Sequence, residues 1–202
     1  MYDVIVVGAR CAGSPTALLL ARKGYKVLLV DRSVFPSDMA FSNHFVHQAG
    51  SAALKRWGLL ERLAATNCPP ITEDYFDYGA FSLSGPVPPV DGVNTAFAPR
   101  RIKLDPLLVA AAGEAGAEVR DGFSVQEVIW DNDKVVGIRG KHKGAIVTEK
   151  ARITVGAAGL QVASEPDRGT SGIIVVKNHL IPSLPPVVAP APRWSGESSS
   201  LV

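Results

Sequence analysis

The sequence predicts an α/β domain organised around a parallel sheet. Three observations carry that prediction: a β-branched run, Val4-Ile5-Val6-Val7, that stops at Gly8; a second apolar run, Lys26 to Val30, that stops at Asp31; and a helical stretch from Thr16 to Ala21 between them. A short apolar run without alternation is the pattern of a strand buried on both faces of a parallel sheet. Arg22 and Lys23 place cations in the last helical turn and Gly24 can take a left-handed cap, so the helix ends there. Strand, helix and strand within about 30 residues make a βαβ unit, whose crossover is right-handed. Pro15, about one turn into the helix, is expected to delay its start or kink it.

The middle of the chain is less regular. Leu54, Trp57, Leu60 and Leu63 recur every three residues and predict one amphipathic helix over about Gly50 to Ala65, its apolar residues in the core. Cys68-Pro69-Pro70 breaks it. From Asp74 to Val90, aromatic and β-branched residues punctuated by Gly79, Gly85 and prolines predict short strands or loops. Asp105-Pro106 reads as a helix start, Asp as N-cap and Pro at the first helical position, with the helix reaching about Gly116. Ala117 to Arg120 is a brief strand. The alternating runs Phe123 to Trp130 and Lys134 to Ile138, joined by Asp131-Asn132-Asp133, predict an antiparallel hairpin, with Ala145 to Thr148 as a third strand. Ala151 to Val155 is a separate strand ending in Gly156-Ala157-Ala158-Gly159. Beyond it only Ile173 to Val176 reads as a strand. From Pro182 onward Pro, Ser, Ala and Val predominate, the composition of an extended or poorly ordered tail.

Composition excludes several classes. Hydrophobic types make up 47% of the 202 residues and charged types 20%, a globular balance. No apolar run approaches the roughly 20 residues needed to span a bilayer. The net charge of +2 advertises neither nucleic acid nor an anionic membrane as a partner. Two cysteines, Cys11 and Cys68, are too few for a disulfide framework or a zinc site of their own. With no basic leader before the first strand, the expectation is a reduced, cytoplasmic protein.

Gly8-Ala9-Arg10-Cys11-Ala12-Gly13 lies between strand and helix, the place of a dinucleotide fingerprint, G-x-G-x-x-G. The first glycine permits the tight turn, the second lets backbone approach the pyrophosphate, and the third lets helix and strand pack closely. Arg10 stands at the second position, adding a Cβ at the approach point and a cation able to face phosphate. Asp31 closes the second strand 23 residues after Gly8, near the roughly 20 expected of the acid that binds an adenosine ribose. An acid there favours FAD or NAD over NADP.

With these residues in place, Tyr2 to Pro15 resembles the opening of the FAD-dependent oxidoreductases of the aromatic-hydroxylase and geranylgeranyl-reductase type. In one subgroup of these, Arg replaces the second glycine. Asp31-Arg32 is similar to the acid that binds the FAD adenosine and its following Arg, and Phe41 to Gly50 to the loop passing near the flavin. Arg101-Ile102-Lys103-Leu104-Asp105 matches the family's R-x-x-L-D stretch, whose Arg lies near FAD. Val155 to Gly159 resembles its G-A-D-G segment. The resemblance, over about residues 1 to 160, implies a Rossmann-like, glutathione-reductase-like FAD-binding domain: a parallel sheet, an antiparallel hairpin or meander, and an incomplete substrate-domain segment inserted at about 66–100. The divergent tail, 161–202, follows. The candidate cofactor-binding set is Gly8, Ala9, Arg10, Cys11, Ala12, Gly13, Asp31, Arg32, Arg101, Val125, Gly156 and Gly159; no side chain is assigned a catalytic role.

The implied function is flavin-dependent oxidation of a small organic substrate, monooxygenase-like, with NAD(P)H reducing the flavin; reduction of a C=C bond is the family's other chemistry. Two departures motivate a rival reading, a truncated, non-catalytic nucleotide-binding remnant. Ala158 stands where relatives carry Asp, removing a hydrogen-bond acceptor. The chain also stops before the family's G-D motif, which implies an incomplete member. A module binding NAD alone is the third reading, disfavoured by Arg10 and the Arg101 stretch. His44 and His47 lack the further ligands of a closed metal site, and a surface or flavin-side loop is expected there. Cys11, at a helix start where the dipole lowers a thiol pKa, is expected to pack as a small buried residue.

Overall fold

Each apolar run near the N-terminus forms a strand, and the strands assemble in parallel. The structure, a computed structural model, describes residues 1–40, 42–132, 134–158 and the strand at 174–176. β1 (Tyr2–Val7), α1 (Gly13–Arg22) and β2 (Val27–Val30) form the expected βαβ unit. Pro15 lies in the first turn of α1, where a backbone N–H has no intrahelical partner, so it neither delays nor kinks the helix. Gly24, at φ +83°, lies just past its C-terminus.

The remaining elements are α2 (Gln48–Trp57), α3 (Leu60–Ala64), β3 (Pro70–Ile71), β4 (Glu73–Asp77), β5 (Ser82–Pro86), β6 (Ala96–Phe97), α4 (Arg101–Glu114), β7 (Glu118–Arg120), β8 (Ser124–Asp131), β9 (Lys134–His142), β10 (Ala145–Gly156) and β11 (Ile174–Val176). The main sheet runs β7-β2-β1-β10-β9-β8, with β11 also pairing with β10. β7, β2, β1 and the second half of β10 are parallel; β8, β9 and the first half of β10 form an antiparallel meander.

Besides that of Pro15, three expectations about the elements are corrected. The helix expected over Gly50 to Ala65 is two, because Gly58 adopts φ 74° and caps α2 with a left-handed turn. Leu63 and Leu59 are nonetheless core residues, and Trp57 and Leu60 pack against them. The strands expected at Ala145 to Thr148 and Ala151 to Val155 are one, β10, whose first half pairs with β9 and whose second half pairs with β1. Third, α4 begins at Arg101, so Asp105 is no N-cap and Pro106 lies inside the helix. The helix starts there because the Arg100 carbonyl accepts the Lys103 and Leu104 N–H groups, and the Arg100 guanidinium pairs with Asp38, a pairing that holds the Asp38 carboxyl below the usual carboxylate range.

Both faces of β1 and β2 are buried, as non-alternating strands require. Val4, Val6, Val27 and Leu29 face α1, α3 and α4 through Leu18, Leu63, Leu104 and Leu108. Ile5, Leu28 and Val30 face Phe123 and Ile138, so the meander covers the other side. The β4–β5 hairpin stands off the main sheet. Its Phe76 pairs with Leu83, and both are exposed beside the stacked rings of Tyr78 and Phe81. Among the described residues no helix is long and apolar enough to cross a membrane.

At the start of β1, Tyr2 donates to Glu118 Oε2 at 2.6 Å and accepts from Arg120 at 2.9 Å, and Arg120 also pairs with Glu149. Burial, then the Glu118 hydrogen bond, pushes Tyr2 up to about 12 from 10.0, with Arg120 pulling the other way. A raised native pKa means that this contribution to stability is whole below pH 10 and is lost as pH rises through about 12. Melting curves across that window should show a midpoint that falls further in the wild-type chain than in Tyr2→Phe.

Candidate functional site

β1, β2 and β10 end side by side. Val7 is in register with Val30 on one side and with Gly156 on the other, so Gly8, Asp31 and Ala157 leave the sheet at one edge. This is the carboxyl edge, where open α/β sheets bind ligands. The Gly8 N–H donates to the Val30 carbonyl at 2.7 Å and the Ala157 N–H to the Val7 carbonyl at 2.7 Å, tying the three ends together.

The turn from β1 into α1 has no room for side chains at its two glycines. Gly8 is at φ +107°, and a Cβ there would stand 2.6 Å from the Ala157 carbonyl group. A Cβ on Gly13 would stand 1.7 Å from the Gly8 carbonyl oxygen. Backbone therefore packs on backbone at both points. Cys11 and Ala12 lie exposed at the start of α1, and the helix has neither a side-chain cap nor an acid in its first turn. The Ser14 N–H is taken by the Arg10 carbonyl at 3.0 Å, so it is the positive dipole end and the turn's amides ahead of Ser14 that are placed to meet an anion.

Asp31 sits beside that turn. Its Oδ2 accepts the Ala9 N–H at 2.7 Å and its Oδ1 accepts the Ser33 N–H at 2.8 Å, with the residue only 8% exposed. A carboxylate has about four acceptor directions, so two remain for hydroxyl donors. The backbone of Asp31 is held as firmly: its N–H donates to Arg120 and its carbonyl accepts from Phe123. Glycine cradle, open helix start and oriented carboxylate fit the diphosphate and ribose of an adenine dinucleotide such as FAD.

Arg10, the residue at the second glycine position, does not extend from the turn as a free cation. Its guanidinium donates to Asp105 Oδ2 at 2.5 Å, to Ser37 Oγ at 3.0 Å and to Ser33 Oγ at 3.2 Å, and lies 5.7 Å from the centre of the Phe35 ring. Asp105, fully buried on α4, also accepts from Arg101 Nε at 2.7 Å. The R-x-x-L-D stretch is thereby brought against the glycine turn.

The other candidates lie at varying distance from this centre. Gly156 ends β10 beside Val7. Ala158 is exposed, and its N lies 2.7 Å from where a Cβ on Gly8 would be. Arg32 is exposed just beyond Asp31. Val125 is on β8, two residues past the Phe123 N–H that reaches Asp31, and packs under the sheet. Gly159 lies outside the described residues, as does most of the segment after it. Cys11 corrects its expectation: the residue is exposed, and desolvation of the thiol, with Asp105 adding to it and Arg101 opposing, pushes its pKa up. The Asp105 carboxylate, 3.7 Å from its Sγ, adds to the rise that desolvation sets. His47 precedes α2 with its ring edge-on to Phe45, and His44 adopts φ 56°.

Sequence reasoning did not identify Ser33, Ser37 and Phe35 as partners of Arg10, nor Asp105 as its counter-ion. The spacing of Arg10 and Asp105, 95 residues, leaves no local signal.

Comparison with known proteins agrees with this geometry. The family model described as FAD binding domain matches residues 1–189. Protein FixC of Salmonella typhi is 32% identical over 149 residues, covering 68% of this chain and 33% of its own length. The digeranylgeranylglycerophospholipid reductase of Picrophilus torridus is 27% identical over 191 residues, 89% of this chain and 45% of the reductase. The chain therefore spans between a third and a half of the length of these curated relatives. Among solved structures, the myxobacterial chondrochloren halogenase CndH superposes with a TM-score of 0.74 at 23% identity, over 80% of this chain and 38% of the halogenase. A geranylgeranyl bacteriochlorophyll reductase-like protein from Thermoplasma acidophilum gives 0.66 at 24% identity, over 78% and 39%. These likenesses show the fold, a parallel sheet with antiparallel strands shared with FAD-dependent flavoproteins. A family match across nearly the whole chain, on a glycine turn and carboxylate arranged for a dinucleotide, places this protein in the FAD-binding domain family.

Proposed function

We propose that the chain is the FAD-binding part of a flavin-dependent oxidoreductase acting on a small organic substrate, monooxygenase-like, with NAD(P)H as reductant. The observation that carries this reading is the adjacency of Asp31 to the glycine turn, the carboxylate 2.7 Å from the Ala9 N–H. Gly8 and Gly13 let the cofactor's diphosphate meet backbone amides at the start of α1. Asp31 holds the adenosine ribose hydroxyls, and Arg101 adds positive charge beside the turn. Bound FAD supplies the electron transfer, and the protein supplies binding, orientation and exclusion of water. Residues 1–160 form the cofactor-binding unit in this reading. Residues of about 66–100 form a substrate-side insertion, a role supported by the exposed apolar face of the β4–β5 hairpin. The similarity to the Picrophilus torridus relative, which carries reductase in its name, favours a second reading, reduction of a C=C bond.

Purification of the full chain tests the proposal. The expected result is a yellow protein, or a colourless one that turns yellow on adding FAD, with flavin absorption and NAD(P)H oxidation. A chain that binds ADP but not FAD overturns it in favour of a nucleotide-binding remnant. Product analysis with oxygen present and absent separates hydroxylation from C=C reduction.

A further inference from the structure

Arg10 occupies the place where a dinucleotide fingerprint has a glycine, yet its side chain is accounted for by groups of the protein itself. Its fork spans three separate segments: its own turn, the stretch after β2 through Ser33 and Ser37, and α4 through Asp105. The aromatic face of Phe35 stacks against it. Asp105 is 0% exposed and takes Arg101 on its other oxygen, so one buried carboxylate orients two guanidinium groups. The pair of cations exceeds the single carboxylate by one positive charge, beside a helix start that already favours anions.

We propose that Arg10 is a positioning residue: it clamps the β1–α1 turn to α4, fixing the turn's amides and the Arg101 guanidinium in one frame for a diphosphate that Arg10 itself does not touch. Where the common fingerprint has a bare glycine at this point, this chain has a three-way side-chain tie. Restoring the glycine therefore weakens nucleotide binding. Lysine is a poor substitute, because a point charge cannot bridge a carboxylate and two hydroxyls as a planar fork does. The proposal rests on the reading of this turn as a dinucleotide site.

The test uses the full chain and its Arg10→Gly, Arg10→Lys, Asp105→Asn and Ser33→Ala/Ser37→Ala variants, with each combined with Arg10→Gly. ADP binding is followed by calorimetry and ligand-free melting by circular dichroism. Arg10→Gly is expected to weaken ADP binding about tenfold, the scale of one charge-assisted hydrogen bond. Arg10→Lys is expected to recover little of this. The losses from Arg10→Gly and Asp105→Asn, or from Arg10→Gly and the double serine variant if Asp105→Asn does not fold, are expected not to add, because each breaks the same clamp. ADP binding by Arg10→Gly as tight as that of the wild type overturns the proposal. So do strictly additive losses, which would mean that Arg10 meets the phosphate directly. If the wild-type chain binds neither ADP nor FAD, the dinucleotide reading falls by itself. The clamp is then decided by ligand-free melting, where additive midpoint shifts overturn it.

Discussion

Gly13→Ala is expected to abolish FAD binding and to lower stability by about 3 kcal/mol or more, the upper range for overpacking. The added methyl would lie 1.7 Å from the Gly8 carbonyl oxygen and 3.1 Å from Val6 Cγ1. The nearest obstacle is backbone, which cannot rotate away as a side-chain tip can. Relief requires moving α1 off β1, and that shift carries the positive dipole end of the helix away from the diphosphate position. Urea melting and FAD titration of the same preparation check both effects. Gly113→Ala is the control: it lies inside α4, and its Cβ would meet nothing nearer than Val119 Cγ2 at 3.8 Å. There the same substitution should stabilise by about 0.5–1 kcal/mol, through reduced freedom of the unfolded chain. A Gly13→Ala chain that melts like the wild type and binds FAD would refute the close packing described above.

Asp31→Ala has the next largest expected effect. It leaves the Ala9 and Ser33 N–H groups without their carboxylate acceptor, one of them buried, and an unpaired buried donor costs about 1–3 kcal/mol. A loss of about 2 kcal/mol in stability is expected, together with a drop of at least about tenfold in FAD affinity as the ribose acceptor disappears. Asp31→Asn separates the two consequences. Its amide keeps the shape but turns one acceptor into a donor, which must face either a backbone N–H or the ribose. Stability should fall less than in the alanine variant while FAD affinity still falls. Unchanged FAD affinity in both variants would remove the ribose role from Asp31, whatever the melting curves show.

The β1–α1–β2 unit was legible because its signals are local. A β-branched run that stops at glycine, cations followed by Gly24, and an acid ending the second run each act within a few residues of where they are read. The meander was legible for the same reason, through alternation and a turn in which Asn132 takes φ 52°. Errors fell where a distant partner decided the outcome. Asp105-Pro106 carries the local signature of a helix start, yet α4 begins at Arg101, where the Arg100 carbonyl accepts the first helical N–H groups and the Arg100 side chain pairs with Asp38 from the loop after β2. β10 looked like two strands because its pattern changes midway, and the change marks where it leaves the meander for the parallel sheet.

By itself the sequence determined the parallel sheet, the glycine turn and the carboxylate at the end of β2, since steric allowance at glycine and burial of unbroken apolar strands are properties of short segments. Only the tertiary structure decided where Arg10 points and what Asp105 is for. A buried ion pair is fixed by which charges the packed elements bring within hydrogen-bond reach. That depends on the placement of α4 against the β1–α1 turn, to which no residue near Arg10 in the chain contributes a readable sign.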